Sequence, residues 1–144
     1  MQTVRQLLDG KPVRALVYVS PDSTVFQALQ VMAENDIGAV LVMESGDIVG
    51  IFSERDYARR IVLQGRTSAG TKVRDIMTSR VVYVTPLQTL DDCMSLMTEK
   101  RIRHLPVMED QTVLGMLSIG DLVRATIDEQ AQVINHLVHY IQSA

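Results

Sequence analysis

The strongest constraint on this chain is that much of it is written twice. Residues 19–62, VSPDSTVFQALQVMAENDIGAVLVMESGDIVGIFSERDYARRIV, lie over residues 84–127, VTPLQTLDDCMSLMTEKRIRHLPVMEDQTVLGMLSIGDLVRATI, without a gap, and 13 of 44 positions are identical. The shared residues are Val19, Pro21, Thr24, Met32, Glu34, Ile37, Val42, Met43, Glu44, Gly50, Ser53, Asp56 and Arg59. Upstream, VRQLL at 4–8 matches VRDIM at 73–77 at an offset of 69 instead of 65, so the first copy carries four extra residues around Gly10 to Arg14. A period of this size means one supersecondary unit per copy. Each unit, at about 60 residues, buries too little apolar surface to be comfortable alone. The two copies are therefore expected to fold as similar units that depend on each other.

Each copy reads as strand, helix, strand, strand, helix. LVYV (16–19) and VVYV (81–84) are β-branched and aromatic runs that stop at a proline. Thr24 and Thr89 suit helix N-caps, with Gln27 and Asp92 three residues on as their capping-box partners. Val25, Leu29 and Met32, then Leu90, Met94 and Met97, recur at helical spacing and should face a core. AVLVM (39–43) and HLPVM (104–108) are the middle strands; ESGD and EDQT turn the chain, and IVGIF and VLGML return as hairpin partners. QGRTSAGTK (64–72) reads as the linker. The expected fold is α+β (α/β), two β-α-β-β-α repeats packed about a pseudo-two-fold axis, with clefts where the copies meet. Expected boundaries are 1–66 and 67–128 for the repeats and 129–144 for a C-terminal amphipathic helix.

Composition narrows the function. A formal charge of −3 over 144 residues argues against a protein that neutralises a run of phosphates on nucleic acid. The single cysteine, Cys93, makes no internal disulfide and offers no thiol cluster for zinc, which fits a reducing, cytoplasmic setting. No apolar run approaches the roughly 18 residues that span a bilayer, and no signal-peptide pattern opens the chain, so no membrane role is expected. There is neither a G-x-G-x-x-G after a strand nor a G-x-x-x-x-G-K-[ST]. No base, nucleophile and oxyanion group can be named together, so an enzyme is not expected.

What remains is a motif written twice, GIFSERD at 50–56 and GMLSIGD at 115–121, sharing G-x-x-S-x-x-D. Ser53 with Asp56, and Ser118 with Asp121, can cap the helices they open. Capping alone needs neither the preceding glycine nor the same turn in both copies.

The doubled order of elements, the VSPDST and VTPLQT starts, the RHLPVM strand and the G-x-x-S-x-x-D helix starts resemble a tandem pair of CBS domains, a Bateman module, over about residues 4–127. SERDYARR, LQGR and VRDIM further resemble small stand-alone CBS-pair proteins. The resemblance implies a regulatory module, not a catalyst. It binds adenosine-containing ligands (AMP, ADP, ATP, S-adenosylmethionine or NAD(H)) between the copies and needs no metal to fold. In that reading Asp56 and Asp121 accept hydrogen bonds from the ribose hydroxyls, for which a carboxylate, an acceptor with two oxygens, is suited. Ser53 and Ser118 lie near ribose or phosphate, where a helix N-terminus also favours an anion. Capping and ligand contact can coexist at these residues.

The resemblance carries further positions. Ile37 and Ile102 should flank adenine, as should Val17 and Val82 in the first strands, with Ile51 and Met116 on the other wall. Arg55 and Gly120 lie inside the motifs. Thr78 matches a position near ribose or phosphate, but its first-copy equivalent is Asp9, which weakens the expectation of phosphate binding at that end. Arg103 and His104 match phosphate-contacting positions, whereas the first copy has Gly38 and Ala39 there and lacks the cation, so unequal sites are expected. Lys100 and Arg101 are read as offsetting a helix dipole. Cys93 falls on a buried helix stripe and His136 and His139 fall off the tail's apolar stripe, so none is read as a catalytic or metal residue. That stripe, Val133, Ile134, Leu137, Val138 and Ile141, needs a cover, and a homodimer of CBS pairs would supply one. A protein target that reads the ligand signal is a further expected partner.

Overall fold

The computed structural model describes residues 2–12 and 15–143. In chain order the elements are α1 (Val4–Asp9), β1 (Tyr18–Val19), α2 (Val25–Asn35), β2 (Ala39–Glu44), β3 (Asp47–Ser53), α3 (Glu54–Asp56) running into a π-helix (Tyr57–Val62), a 3-10 turn (Val73–Asp75), α4 (Leu90–Lys100), β4 (His104–Glu109), β5 (Thr112–Ser118) and α5 (Ile119–Ser143).

These elements form two compact units that are not the two halves of the sequence. One comprises Ala15–Val81; the other combines Met1–Arg14 with Val82–Ala144. The repeat limits 1–66 and 67–128 follow the duplication, while the compact units follow an exchange of N-terminal arms. The exchange is symmetric down to single hydrogen bonds. In the Ala15–Val81 unit, Val73 N–H donates to Ser23 O at 2.8 Å, Arg74 N–H to Pro21 O at 3.0 Å, and Val25 N–H to Thr71 O at 2.9 Å. In the other unit, Val4 N–H donates to Gln88 O at 2.7 Å, Arg5 N–H to Pro86 O at 3.1 Å, and Leu90 N–H to Gln2 O at 2.9 Å. QGRTSAGTK is therefore not a free linker: Thr71 is buried, and Phe26 N–H donates to Ser68 O.

Within the Ala15–Val81 unit, β1 runs parallel to β2, and β2 pairs antiparallel with β3. Val25, Ala28 and Met32 of α2 close over Val40, Val42 and Phe52, joined by Ile61, Val73 and Ile76, with Leu29 packed at the margin. In the other unit β4 and β5 pair alone, and Leu90, Cys93 and Met97 of α4 pack with Val4, Leu105, Val107, Leu117 and Leu122. The expected helix faces are thus turned inward, displaced by one position toward Ala28 and Cys93. Both hairpins turn through two residues with positive φ, Ser45–Gly46 and Asp110–Gln111, the backbone demanded by tight hairpin turns.

The first strands differ from the sequence expectation. LVYV is strand only over Tyr18–Val19, and VVYV contributes only a bridge of Val84 to Val107. Val84 N–H donates to Pro106 O, and Met108 N–H donates to Val84 O. The next bond of this parallel ladder would require a donor at Pro106, which has none. One last-helix expectation also changes. The first copy's final helix is three α residues followed by a π-helix, whereas the C-terminal segment is helical as the continuation of the 25-residue α5, which contains no proline and only Gly120 in its first turn.

Candidate functional site

Each motif serine begins a helix as a reciprocal cap. Ser53 Oγ accepts from Asp56 N–H at 3.2 Å, while Asp56 Oδ2 accepts from Ser53 N–H at 3.0 Å and Ser53 Oγ–H at 3.1 Å. Ser118 Oγ accepts from Asp121 N–H at 3.2 Å, and Asp121 Oδ2 accepts from Ser118 N–H at 2.8 Å. In both corners the cap uses Oδ2 and leaves Oδ1 directed elsewhere. Asp56 and Asp121 side chains are 10% and 14% exposed, so hydrogen bonds to them are shielded from water and correspondingly strong.

The motif glycines have a tertiary cause. A Cβ on Gly50 would lie 2.5 Å from Met77 Sδ, 2.9 Å from Met77 Cγ and 3.0 Å from Thr78 O, because the exchanged arm crosses β3 at this residue. Ile51 and Thr78 there exchange two backbone hydrogen bonds, both 2.9 Å. On Gly115 a Cβ would lie 3.2 Å from Leu8 Cδ2 of α1. The glycine three residues before the serine is the flat place on which an arm rests.

The arms also complete the corners, differently in each. In the Ala15–Val81 unit, Thr78 Oγ1–H donates to Asp56 Oδ1 at 3.2 Å. Arg60 stands 3.9 Å from the same oxygen, its guanidinium donating to Ile76 O at 2.8 Å and Met77 O at 3.0 Å. Thr78, read with the second copy from sequence, thus serves the first copy's motif. In the other unit its equivalent, Asp9, ends α1 exposed, and Lys11 reaches in instead: Nζ donates to Asp121 Oδ2 and to Met116 O, each at 2.8 Å. Arg124 stands 3.7 Å from Asp121 Oδ1. Burial pushes the Asp121 carboxyl up, but the hydrogen bonds from Lys11 and Ser118, with the Lys11 charge, outweigh it and hold the pKa below the usual carboxylate value. Burial also lowers the His104 imidazole below its ordinary value; Asp121 opposes this, and Lys11 and Arg103 add to it.

The remaining candidates fall in the same two units as these corners. Glu54 N–H donates to Gly38 O at 3.1 Å and Ile119 N–H to Arg103 O at 2.8 Å, which sets the start of each middle strand beside its motif helix. Ala39 and His104 pair with Ser53 and Ser118 across the hairpins. Val17 and Ile37 pack half-buried on one core, and Val82 and Ile102 on the other. Ile51 and Met116 lie half-buried two residues before the motif serines, while Arg55 and Gly120 are exposed on the first helical turns. Lys11, Arg60 and Arg124 were not found by sequence reasoning. Lys11 falls in the unrepeated insertion and Arg60 aligns with Ala125, so the repeat flags neither; Arg124 aligns with Arg59, the one cue of the three.

The model of the CBS domain matches residues 4–63 and again 73–128. The chain belongs to the CBS-domain family. A CBS-domain protein from Burkholderia ambifaria has a solved structure 50% identical to this chain, with a TM-score of 0.86 over 90% of this chain and 96% of that one. The Arabidopsis thaliana protein named CBS domain-containing protein CBSX3, mitochondrial, is 43% identical over 131 residues; the match spans 88% of this chain and 64% of the plant protein. The CBS-domain pair of the protein MJ0100, solved in complex with 5′-methylthioadenosine and S-adenosyl-L-methionine, shares the fold with a TM-score of 0.78 at 19% identity, over 90% of this chain and 98% of that one. Among the described residues of this CBS pair no helix is long and apolar enough to cross a membrane, and no three metal-ligating side chains cluster. Cys93 is buried in the second repeat's core, its thiol pushed up to about 11 by burial and by Asp92.

Proposed function

We propose that this CBS pair is a regulatory sensor of adenine nucleotides, AMP, ADP, ATP or NAD(H), acting through a ligand-dependent change in conformation or partner affinity. The observation that carries the reading is the doubled corner. Among the described residues, Asp121 Oδ1 faces Arg124 at 3.7 Å, and Asp56 Oδ1 accepts one hydroxyl with Arg60 at 3.9 Å, so each shielded carboxylate keeps acceptor capacity at Oδ1 toward a ribose diol. Half-buried apolar residues in the same unit as each corner (Val17, Ile37 and Ile51; Val82, Ile102 and Met116) suit a purine face. The adenosyl ligands named with the MJ0100 pair agree with this chemistry. A ligand moves such a protein only by its differential affinity for two states, so the proposed output is a shift in a pre-existing equilibrium, read by a protein target. The net charge of −3 disfavours nucleic acid as that target, and the lone thiol suits the cytoplasm.

AMP at a hundred times its dissociation constant should add roughly 2.7 kcal/mol to folding stability. Asp56→Asn and Asp121→Asn each replace an acceptor oxygen by a donor and should weaken AMP binding by about 1 to 3 kcal/mol in calorimetry. Equal AMP affinity in wild type and both variants would reduce the aspartates to caps. A second reading, a nucleotide-independent dimerisation scaffold, is favoured by one observation: in both motifs the Ser and Asp satisfy each other as a reciprocal cap. It predicts no melting shift with AMP, ADP, ATP or NAD.

A further inference from the structure

The two corners differ in one chemical respect. At Asp56 the arm contributes a neutral hydroxyl, and the nearby cation, Arg60, is tied to two backbone carbonyls. At Asp121 the arm contributes an ammonium seated directly on the carboxylate. We infer that Lys11 is the selector of the Ser118–Asp121 corner: it holds Oδ2 of the ribose-accepting carboxylate and yields that oxygen only to a ligand that brings its own anion. The inference rests on the nucleotide-sensor reading.

The backbone sets up this contact. Gly10 ends α1 with its N–H on Gln6 O at 3.1 Å, and Lys11 N–H then donates to Leu8 O at 3.1 Å, so the side chain leaves the helix end toward β5. Among the described residues two of the three ammonium hydrogens are used, on Asp121 Oδ2 and Met116 O, which leaves the third for a phosphate oxygen. The Lys11 side chain is 36% exposed, so its head can swing without unpacking α1. The neighbourhood is cationic: Lys11 and Arg124 both face Asp121, and Lys11 and Arg103 both act on His104.

A ribose diol that donates to both carboxylate oxygens must displace Lys11 from Oδ2, and a neutral nucleoside that does so leaves the ammonium without an anion. A nucleoside phosphate displaces Lys11 from the carboxylate and receives it on the phosphate, so the ion pair is exchanged instead of lost. At the Ser53–Asp56 corner no such exchange is required. The second corner should therefore discriminate AMP from adenosine more sharply than the first, and the discrimination should depend on Lys11.

The test titrates AMP and adenosine separately into wild type, Lys11→Met and Lys11→Arg, following heat and the amide resonances of Ser53, Asp56, Ser118 and Asp121. At the Ser118–Asp121 corner, Lys11→Met is expected to bind AMP more weakly and adenosine as well or better, lowering the AMP-to-adenosine preference by about tenfold. Lys11→Arg should recover most of that preference, and the preference at Ser53–Asp56 should not move. A variant that merely disturbed folding would weaken both compounds and both corners together. If wild type binds AMP and the preference at Ser118–Asp121 is unchanged in Lys11→Met, the selector role is overturned while the sensor reading stands. If wild type binds neither compound, both fall.

Discussion

Adding one methyl group at Gly50 tests whether the exchanged arm is what the motif glycine serves. The Gly50 backbone has no positive φ that would forbid alanine, so Gly50→Ala gains about 0.4 to 1 kcal/mol from the stiffer unfolded chain. Against this, the new Cβ meets Met77 Sδ at 2.5 Å and Thr78 O at 3.0 Å. Moving Met77 off its rotamer costs about 0.5 to 1.5 kcal/mol. The carbonyl belongs to one of the two 2.9 Å bonds between Ile51 and Thr78, so its retreat strains a pair of hydrogen bonds worth about 0.5 to 1.5 kcal/mol each. The net expectation is a loss of about 1 to 2 kcal/mol, within the usual range for overpacking. For a chain of this size that lowers Tm by about 2 to 4 °C per kcal/mol. Gly115→Ala is the internal control. Its Cβ meets only the flexible Leu8 Cδ2 at 3.2 Å, and the two effects should nearly cancel, within about 0.5 kcal/mol. Urea denaturation with matched m-values would measure both. Because Thr78 also donates to Asp56, Gly50→Ala should weaken AMP at the Ser53–Asp56 corner as well. A Gly50→Ala protein as stable as wild type, or a Gly115→Ala protein that loses more than Gly50→Ala, would refute the reasoning.

Two further outcomes follow from the same geometry. His104 is held below its ordinary value of about 6.5, so the folded state binds fewer protons than the unfolded one; this contribution is present above pH 6.5 and is lost as pH falls through the folded pKa. Urea midpoints taken between pH 7.5 and 5 should fall toward acid, and His104→Gln should flatten that stretch; an identical slope in the variant would contradict it. The stripe on α5 leaves Leu137 57% and Ile141 71% exposed, and a homodimer across a two-fold axis would cover it. Sedimentation should give a dimer at micromolar concentration and a monomer for Leu137→Asp with Ile141→Asp, whose carboxylates would be buried without partners; a monomeric wild type would exclude this interface.

What the sequence alone determined is what depends on neighbours along the chain. Thr24 with Gln27, Thr89 with Asp92, Ser53 with Asp56 and Ser118 with Asp121 are all capping pairs three residues apart, and all four form because the interaction closes within one helical turn. The buried faces of α2 and α4 and the two-residue hairpin turns are local in the same sense. Tertiary structure alone decided which arm lies on which repeat. The matches of 4–8 to 73–77 and of 19–62 to 84–127 are equally good whether each arm stays with its own copy or crosses to the other. The folded contacts settle it: Met77 and Thr78 rest on Gly50, and Leu8 rests on Gly115. Tertiary structure also brought Lys11 to Asp121 across 110 residues. No periodicity marks Lys11, because a single lysine in an unrepeated insertion acquires a role only when the chain around it has folded. The duplication therefore showed that there would be two corners, Arg103 and His104 against Gly38 and Ala39 already made them unequal, and the fold added Lys11 to one and Thr78 to the other.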